Sequence, residues 1–126
     1  MNINTPEIVA EVEAAFQRYE RALNENDLAA LDDSFWQSAL TIRYGVNEIL
    51  HGIDEIRAFR TARPTAGLRR SLERTVITTF GTDFATASTL FHRDAMIGKI
   101  GRQMQTWVRF PEGWRVVAAT VSVITA

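Results

Sequence analysis

The residues of this chain best equipped for chemistry are its arginines and one tyrosine. Thirteen of the 14 basic residues are arginine, and Lys99 is the exception. A planar guanidinium meets a carboxylate with two parallel hydrogen bonds, which an ammonium cannot do. That composition suits recognition of small acids, but a GC-rich coding sequence produces the same bias, so each arginine has to be judged by its position. Arg43 alternates with apolar residues in Leu40-Thr-Ile-Arg-Tyr44 and faces either solvent or a ligand. Arg70 and Arg74 interleave with Leu68, Leu72, Val76 and Phe80 on one face of a strand pattern, where burying them unpaired is costly. Either that face opens into a polar pocket, or its arginines reach acids or solvent. Tyr19 is the one polar-tipped member of an apolar helical stripe: a core tyrosine with a satisfied hydroxyl, or a phenol aimed into a pocket. The absence of cysteine removes disulfides, thiolate nucleophiles and cysteine-ligated metals, and His51 and His92 alone do not make a multi-histidine metal site. Both histidines fall near strand ends, where surface or capping roles are expected.

The elements that must position these groups centre on the last long run of the chain. Gly101–Phe110, a Pro111-Glu112-Gly113 punctuation and Trp114–Val123 read as a β-hairpin rich in β-branched and aromatic residues. A ten-residue arm spans roughly 33 Å, long enough to cross a small domain, so the hairpin belongs in the middle of a sheet with any pocket on its concave face. Its first arm alternates, with Arg102, Met104, Thr106, Val108 and Phe110 on one side and Gln103, Gln105, Trp107 and Arg109 on the other.

Upstream, Thr5-Pro6-Glu7 is a helix start, and Ile8, Val12, Ala15, Phe16, Tyr19 and Leu23 set one apolar face of a helix running to about Asn24. Asp27 caps a short helix, Leu28–Asp33. Ala39–Tyr44 and Asn47–His51 pair as a short hairpin. Gly52–Arg60 starts a third helix, with Arg57, Arg60 and Arg63 trailing off its end, where cations complement the dipole. Leu68–Phe80 and Phe84–Arg93 are further strands joined by a Gly81-Thr82-Asp83 turn. Helices followed by four long antiparallel strands indicate an α+β fold, a strongly curved sheet wrapped around the long N-terminal helix with one open mouth.

Residues 1–126 read as one domain. A net charge of −1 gives no reason to expect nucleic acid, and no apolar run is long enough for a membrane. The N-terminus lacks the basic start and apolar core of a signal peptide, so a cytoplasmic location is expected.

Asn26-Asp27-x-x-Ala30-Leu31 followed by Phe35-Trp36, then Gly52-x-x-x-Ile56-x-x-Phe59, resembles the SnoaL-like, nuclear-transport-factor-like superfamily of cystatin-like cones. A narrower resemblance covers almost the whole chain. Arg43-Tyr44-Gly45, Phe59-Arg60-x-x-Arg63, Ile77–Gly81, Gly101-Arg102-Gln103-x-Gln105-Thr106-Trp107-Val108 and Gly113–Ala119 are similar to the small proteins encoded with amidases in oxalurate and cyanuric acid catabolism. In the cyanuric acid branch, that resemblance implies a cofactor-free decarboxylase converting 1,3-dicarboxyurea to allophanate, with Tyr19 and Arg43 matching its tyrosine and arginine. Two positions depart from the pattern: Thr120 stands where histidine is expected, and Met104 where a small polar residue is expected.

The implied chemistry suits the residues. Losing carbon dioxide from an N-carboxyurea leaves charge on nitrogen, and a phenol, with an unperturbed pKa near ~10, can protonate it. Arg43 can hold a carboxylate bidentately, and Arg70, Arg74 and Arg102 are candidates for the other carboxylate. No metal or cofactor is called for. The alternative is a non-catalytic small-molecule-binding or accessory partner of an amidase in oxalurate catabolism. A homodimer through the sheet is expected, with Gln103, Gln105 and Trp107 facing the second subunit.

Overall fold

The computed structural model describes residues 1–126. Proline at the first helical position and Glu7 in the first turn start α1, Pro6–Glu25, and every residue of its predicted apolar stripe is buried. Asn26 ends it in the left-handed conformation, at φ 51°. Asp27 then caps α2, Leu28–Asp33, by accepting from the Ala30 amide at 3.1 Å. The short strands β1 (Ile42–Tyr44) and β2 (Ile49–His51) precede α3 (Ile53–Ala62), and the four long strands follow: β3 (Ser71–Phe80), β4 (Phe84–His92), β5 (Lys99–Phe110) and β6 (Gly113–Thr125). All six strands form one sheet in the order β2-β1-β6-β5-β4-β3. The long hairpin is therefore central, as its length requires. β1 runs parallel to β6, and the other pairings are antiparallel. The helices cover one face of the curled sheet, and the α1 stripe packs there with Phe35, Ile56, Trp107, Trp114 and Val116. No helix is long and apolar enough to cross a membrane.

Two expectations fail, and both failures concern which way a strand faces. Gln103, Gln105 and Trp107 do not await a second subunit: they lie on the inner face, and Trp107 is 1% exposed. The Trp107 indole donates to Gln105 Oε1 at 3.1 Å. An amphipathic α1 must bury its stripe against the sheet, and the tryptophan belongs to that contact; the glutamines beside it line the inside of the cone.

The second failure is the common face assigned to Arg70, Leu72, Arg74, Val76 and Phe80. The β3–β4 register slips between Glu73 and Val76, so that Arg74 and Thr75 together oppose Thr89. This is a β-bulge, with Arg74 in the left-handed region at φ 55°. The Thr75 and Thr89 hydroxyls close it at 2.8 Å. Beyond the bulge the parity reverses: Leu72 packs on the core from one side of it, Ile77 and Thr79 face inward from the other, and Val76 is 56% exposed. Arg74 is thus turned to the outer face. β6 carries a similar slip opposite Thr106 and Trp107, so Trp114 and Val116 face inward before it and Ala119 and Val121 after it.

Candidate active site

At the end of the cone beyond these bulges lies a cavity of about 350 Å³. α1 contributes Tyr19 and Leu23, β1 Arg43, and α3 Phe59 with Arg63 just past its end. Arg70 enters ahead of β3, Arg93 follows β4, and Gln103 and Val121 come from the central hairpin.

Tyr19 is 3% exposed, and its ring packs 6.1 Å from that of Phe35. Its hydroxyl takes no part in the protein's own hydrogen bonding, although the residue lines the cavity. Arg43 lies 5.5 Å from the centre of the Phe59 ring, and its Nη1 sits 3.6 Å from Glu48 Oε2. That separation is an ion pair but not a hydrogen bond, and Nη1 is buried without a partner. Glu48 itself occupies the space above Gly45, where an added Cβ would lie 1.4 Å from Oε2.

Arg70 differs in kind. Its Nε donates to Glu20 Oε2 at 3.1 Å and its Nη2 to Gln103 Oε1 at 2.9 Å, and Nη2 also pairs with Glu20 Oε1. Both members of this ion pair are buried, so the charge of Arg70 is largely matched within the wall. Beneath it lies Phe91, with the Arg70 Cζ 4.6 Å and the Arg93 Cζ 4.9 Å from the ring centre.

Three guanidiniums are held below the usual arginine range, in each case mainly by desolvation. Arg60, 4% exposed over the Phe35 ring, is lowered to about 10, with Arg43 and Arg63 as repelling neighbours. Arg63 and Arg93 are lowered in the same way, and a negative charge on Tyr19 would act in the opposite sense on all three. All remain cations at neutral pH, so the cavity is electropositive and short of acceptors. No three side chains of the metal-ligating types cluster anywhere in the protein.

Of the residues singled out from sequence, Tyr19, Arg43 and Arg70 meet in this cavity. Arg74 and Arg102 do not. Both line a groove on the outer sheet face with Val76, Ser88, Met104 and Thr120. The bulge sends Arg74 there; plain alternation opposite Gln103 sends Arg102, whose Nε donates to Ser122 at 3.0 Å. His51 and His92 sit at strand ends, beside Tyr44 and Glu73. Sequence reasoning passed over Arg60, Arg63 and Arg93. A signal existed for the first two: Ile53, Ile56, Arg60 and Arg63 continue one helical stripe, so the arginines extend the buried face rather than only decorating a dipole. For Arg93 there was none. The departures at Met104 and Thr120 are direct cross-strand partners on the outer face, away from Tyr19.

The profile of the AtzH-like family matches residues 1–126. A crystal structure of a protein of unknown function from the DUF3225 family of Pectobacterium atrosepticum is 59% identical, with 98% of this chain and 95% of that one covered and a TM-score of 0.95. A cystatin-like fold protein from Burkholderia xenovorans is 53% identical over 100% of this chain and 98% of that one, also at a TM-score of 0.95. An NTF2-like protein of unknown function from Pseudomonas putida shares the fold at 15% identity and a TM-score of 0.77, over 94% of this chain and 87% of that one. A comparison with curated proteins finds no match. With its full length matched and its α+β cone shared, the chain belongs to the AtzH-like family.

Proposed function

We propose that this cavity is the active site of a cofactor-free decarboxylase acting on a small N-carboxylated urea, with 1,3-dicarboxyurea as substrate and allophanate and carbon dioxide as products. The observation that carries the reading is the convergence of a phenol without a protein partner and guanidiniums with unpartnered N–H groups on one small cavity. In the reaction one C–N bond breaks, its electron pair stays on nitrogen, and a proton must arrive there. Tyr19 supplies that proton as general acid. The phenolate it leaves is opposed by the charges of Arg60 and Arg93 until solvent returns the proton.

Arg43 holds the carboxylate that stays and so fixes the register of the substrate. The departing carboxylate loses its charge on becoming carbon dioxide. A firm cationic grip on it would stabilise the ground state over the transition state. Leu23, Val46 and Leu68 instead offer an apolar wall, where the neutral product is favoured.

Incubating the pure protein with 1,3-dicarboxyurea and following allophanate and carbon dioxide tests this, with a rate well above the spontaneous one expected. A rate equal to the spontaneous one, with co-purification of an amidase, would replace the enzyme by the accessory reading. Arg43→Lys keeps the charge but loses the planar fork, and should raise KM by roughly tenfold while changing kcat less.

We also propose a homodimer, through the outer sheet face. Val76, Ser88, Met104, Thr120 and Tyr44 stand in cross-strand register there, and Val76, Met104 and Tyr44 are 56%, 51% and 42% exposed. Met104→Glu should shift the mass in solution from dimer to monomer. A dimer indifferent to that charge would place the contact elsewhere.

A further inference from the structure

The Phe59 ring has two guanidiniums over it, from different parts of the fold. The Arg43 Cζ lies 5.5 Å and the Arg63 Cζ 5.9 Å from its centre. Phe59 and Arg63 are four residues apart, so α3 itself brings that ring and that cation together, while Arg43 arrives from β1. Three nitrogens of the pair, Arg43 Nη1 and Arg63 Nε and Nη2, are buried with no hydrogen-bond partner. Arg43 has Glu48 at 3.6 Å, and Arg63 has no carboxylate within salt-bridge distance. Buried donors on charged groups are costly to leave unpaired, and two like charges beside one ring repel each other. The end of α3 does not require the Arg63 side chain, because its main-chain N–H donates to the Phe59 carbonyl at 3.0 Å whatever the side chain.

A carboxylate answers these demands together, since two oxygens present about four lone-pair sites to such donors. We infer that Arg63 is a second carboxylate receptor of the cavity and that, with Arg43, it grips the carboxylate the substrate keeps. The receptor stands on the geometry alone. Its assignment to the retained carboxylate rests on the decarboxylase reading, because the strongest cationic grip belongs at the end whose charge does not change during reaction. Such a grip is equal in ground and transition states, so losing it appears in KM rather than kcat.

The test has two arms. Titration calorimetry with malonate, an unreactive dicarboxylate, should show binding to the wild-type protein, weakening of roughly tenfold or more in Arg63→Gln, and an intermediate loss in Arg63→Lys, which keeps the charge without the fork. No malonate binding to the wild type, or unchanged affinity in both variants, would overturn the receptor. With 1,3-dicarboxyurea, Arg63→Gln should raise KM by a similar factor and leave kcat within about threefold. A fall in kcat at unchanged KM would place Arg63 at the departing end and overturn the assignment. Arg63-dependent malonate binding by a protein that turns over nothing would remove the decarboxylase while the receptor remained.

Discussion

Tyr19→Phe should yield a folded protein whose kcat on 1,3-dicarboxyurea is lower by about 10²-fold or more, the scale of a lost general acid. The clean separation of activity from stability follows from the environment of the side chain. The ring is packed against Phe35 in the core, and phenylalanine keeps that contact. The hydroxyl has no protein partner, so its removal strands no buried acceptor, and the melting temperature should move little. KM should also change little, because carboxylate binding falls to the arginines. A kcat within a factor of two or three of wild type would remove Tyr19 from the chemistry. A large loss of stability would make it an ordinary core residue.

Gly101→Ala should damage both stability and substrate binding from a position outside the cavity lining. Gly101 has no positive φ to defend; its constraint is steric. A Cβ there would sit 2.2 Å from two carbons of the Phe91 ring. Phe91 is completely buried, so the ring cannot swing into solvent, and overpacking of this kind costs about 1–3 kcal/mol. Displacing the ring also displaces the platform under Arg70 and Arg93, and through Arg70 the Glu20 pair and Gln103. A lowered melting temperature and a several-fold rise in KM are expected together. An unchanged melting temperature would show that Phe91 has room the structure does not provide. A stability loss with wild-type KM would mean that the arginines hold their places without the ring.

The fold was largely legible in the sequence because its signals are local and strong. Thr5-Pro6-Glu7 and the Ile8-to-Leu23 stripe specify α1, Asp27 specifies the cap of α2, and the length of the last hairpin puts it at the centre of the sheet. Alternation also placed Arg43 correctly opposite Leu40 and Tyr44, but it could not say which face was inside. Thr41 at 0% exposure beside Leu40 at 73% shows why: polarity here runs opposite to burial, with the Thr41 hydroxyl donating to the Trp36 carbonyl and Arg43 lining the cavity. The same inversion on Gln103 and Gln105 misled the reading of the hairpin, since polar residues on a strand ordinarily mark the outside. The Glu20–Arg70 pair joins residues 50 apart, and no local pattern announces it. Arg74 was misplaced because a period-two argument presumes an unbroken ladder.

The two bulges give that last point a wider meaning. Along β5 the inward positions keep one parity from Gly101 to Trp107, whereas β3 and β6 each change parity once, between the end that builds the cavity and the end that builds the core. Each of these strands thus has two reading frames joined at a fixed punctuation mark. Substitutions can accumulate in the cavity frame without ever presenting a wrong residue to the core frame. A one-residue deletion at Arg74 or Thr75 erases the punctuation instead: a single residue is left opposite Thr89, and Leu72 and Ile77 then face inward in one continuous frame.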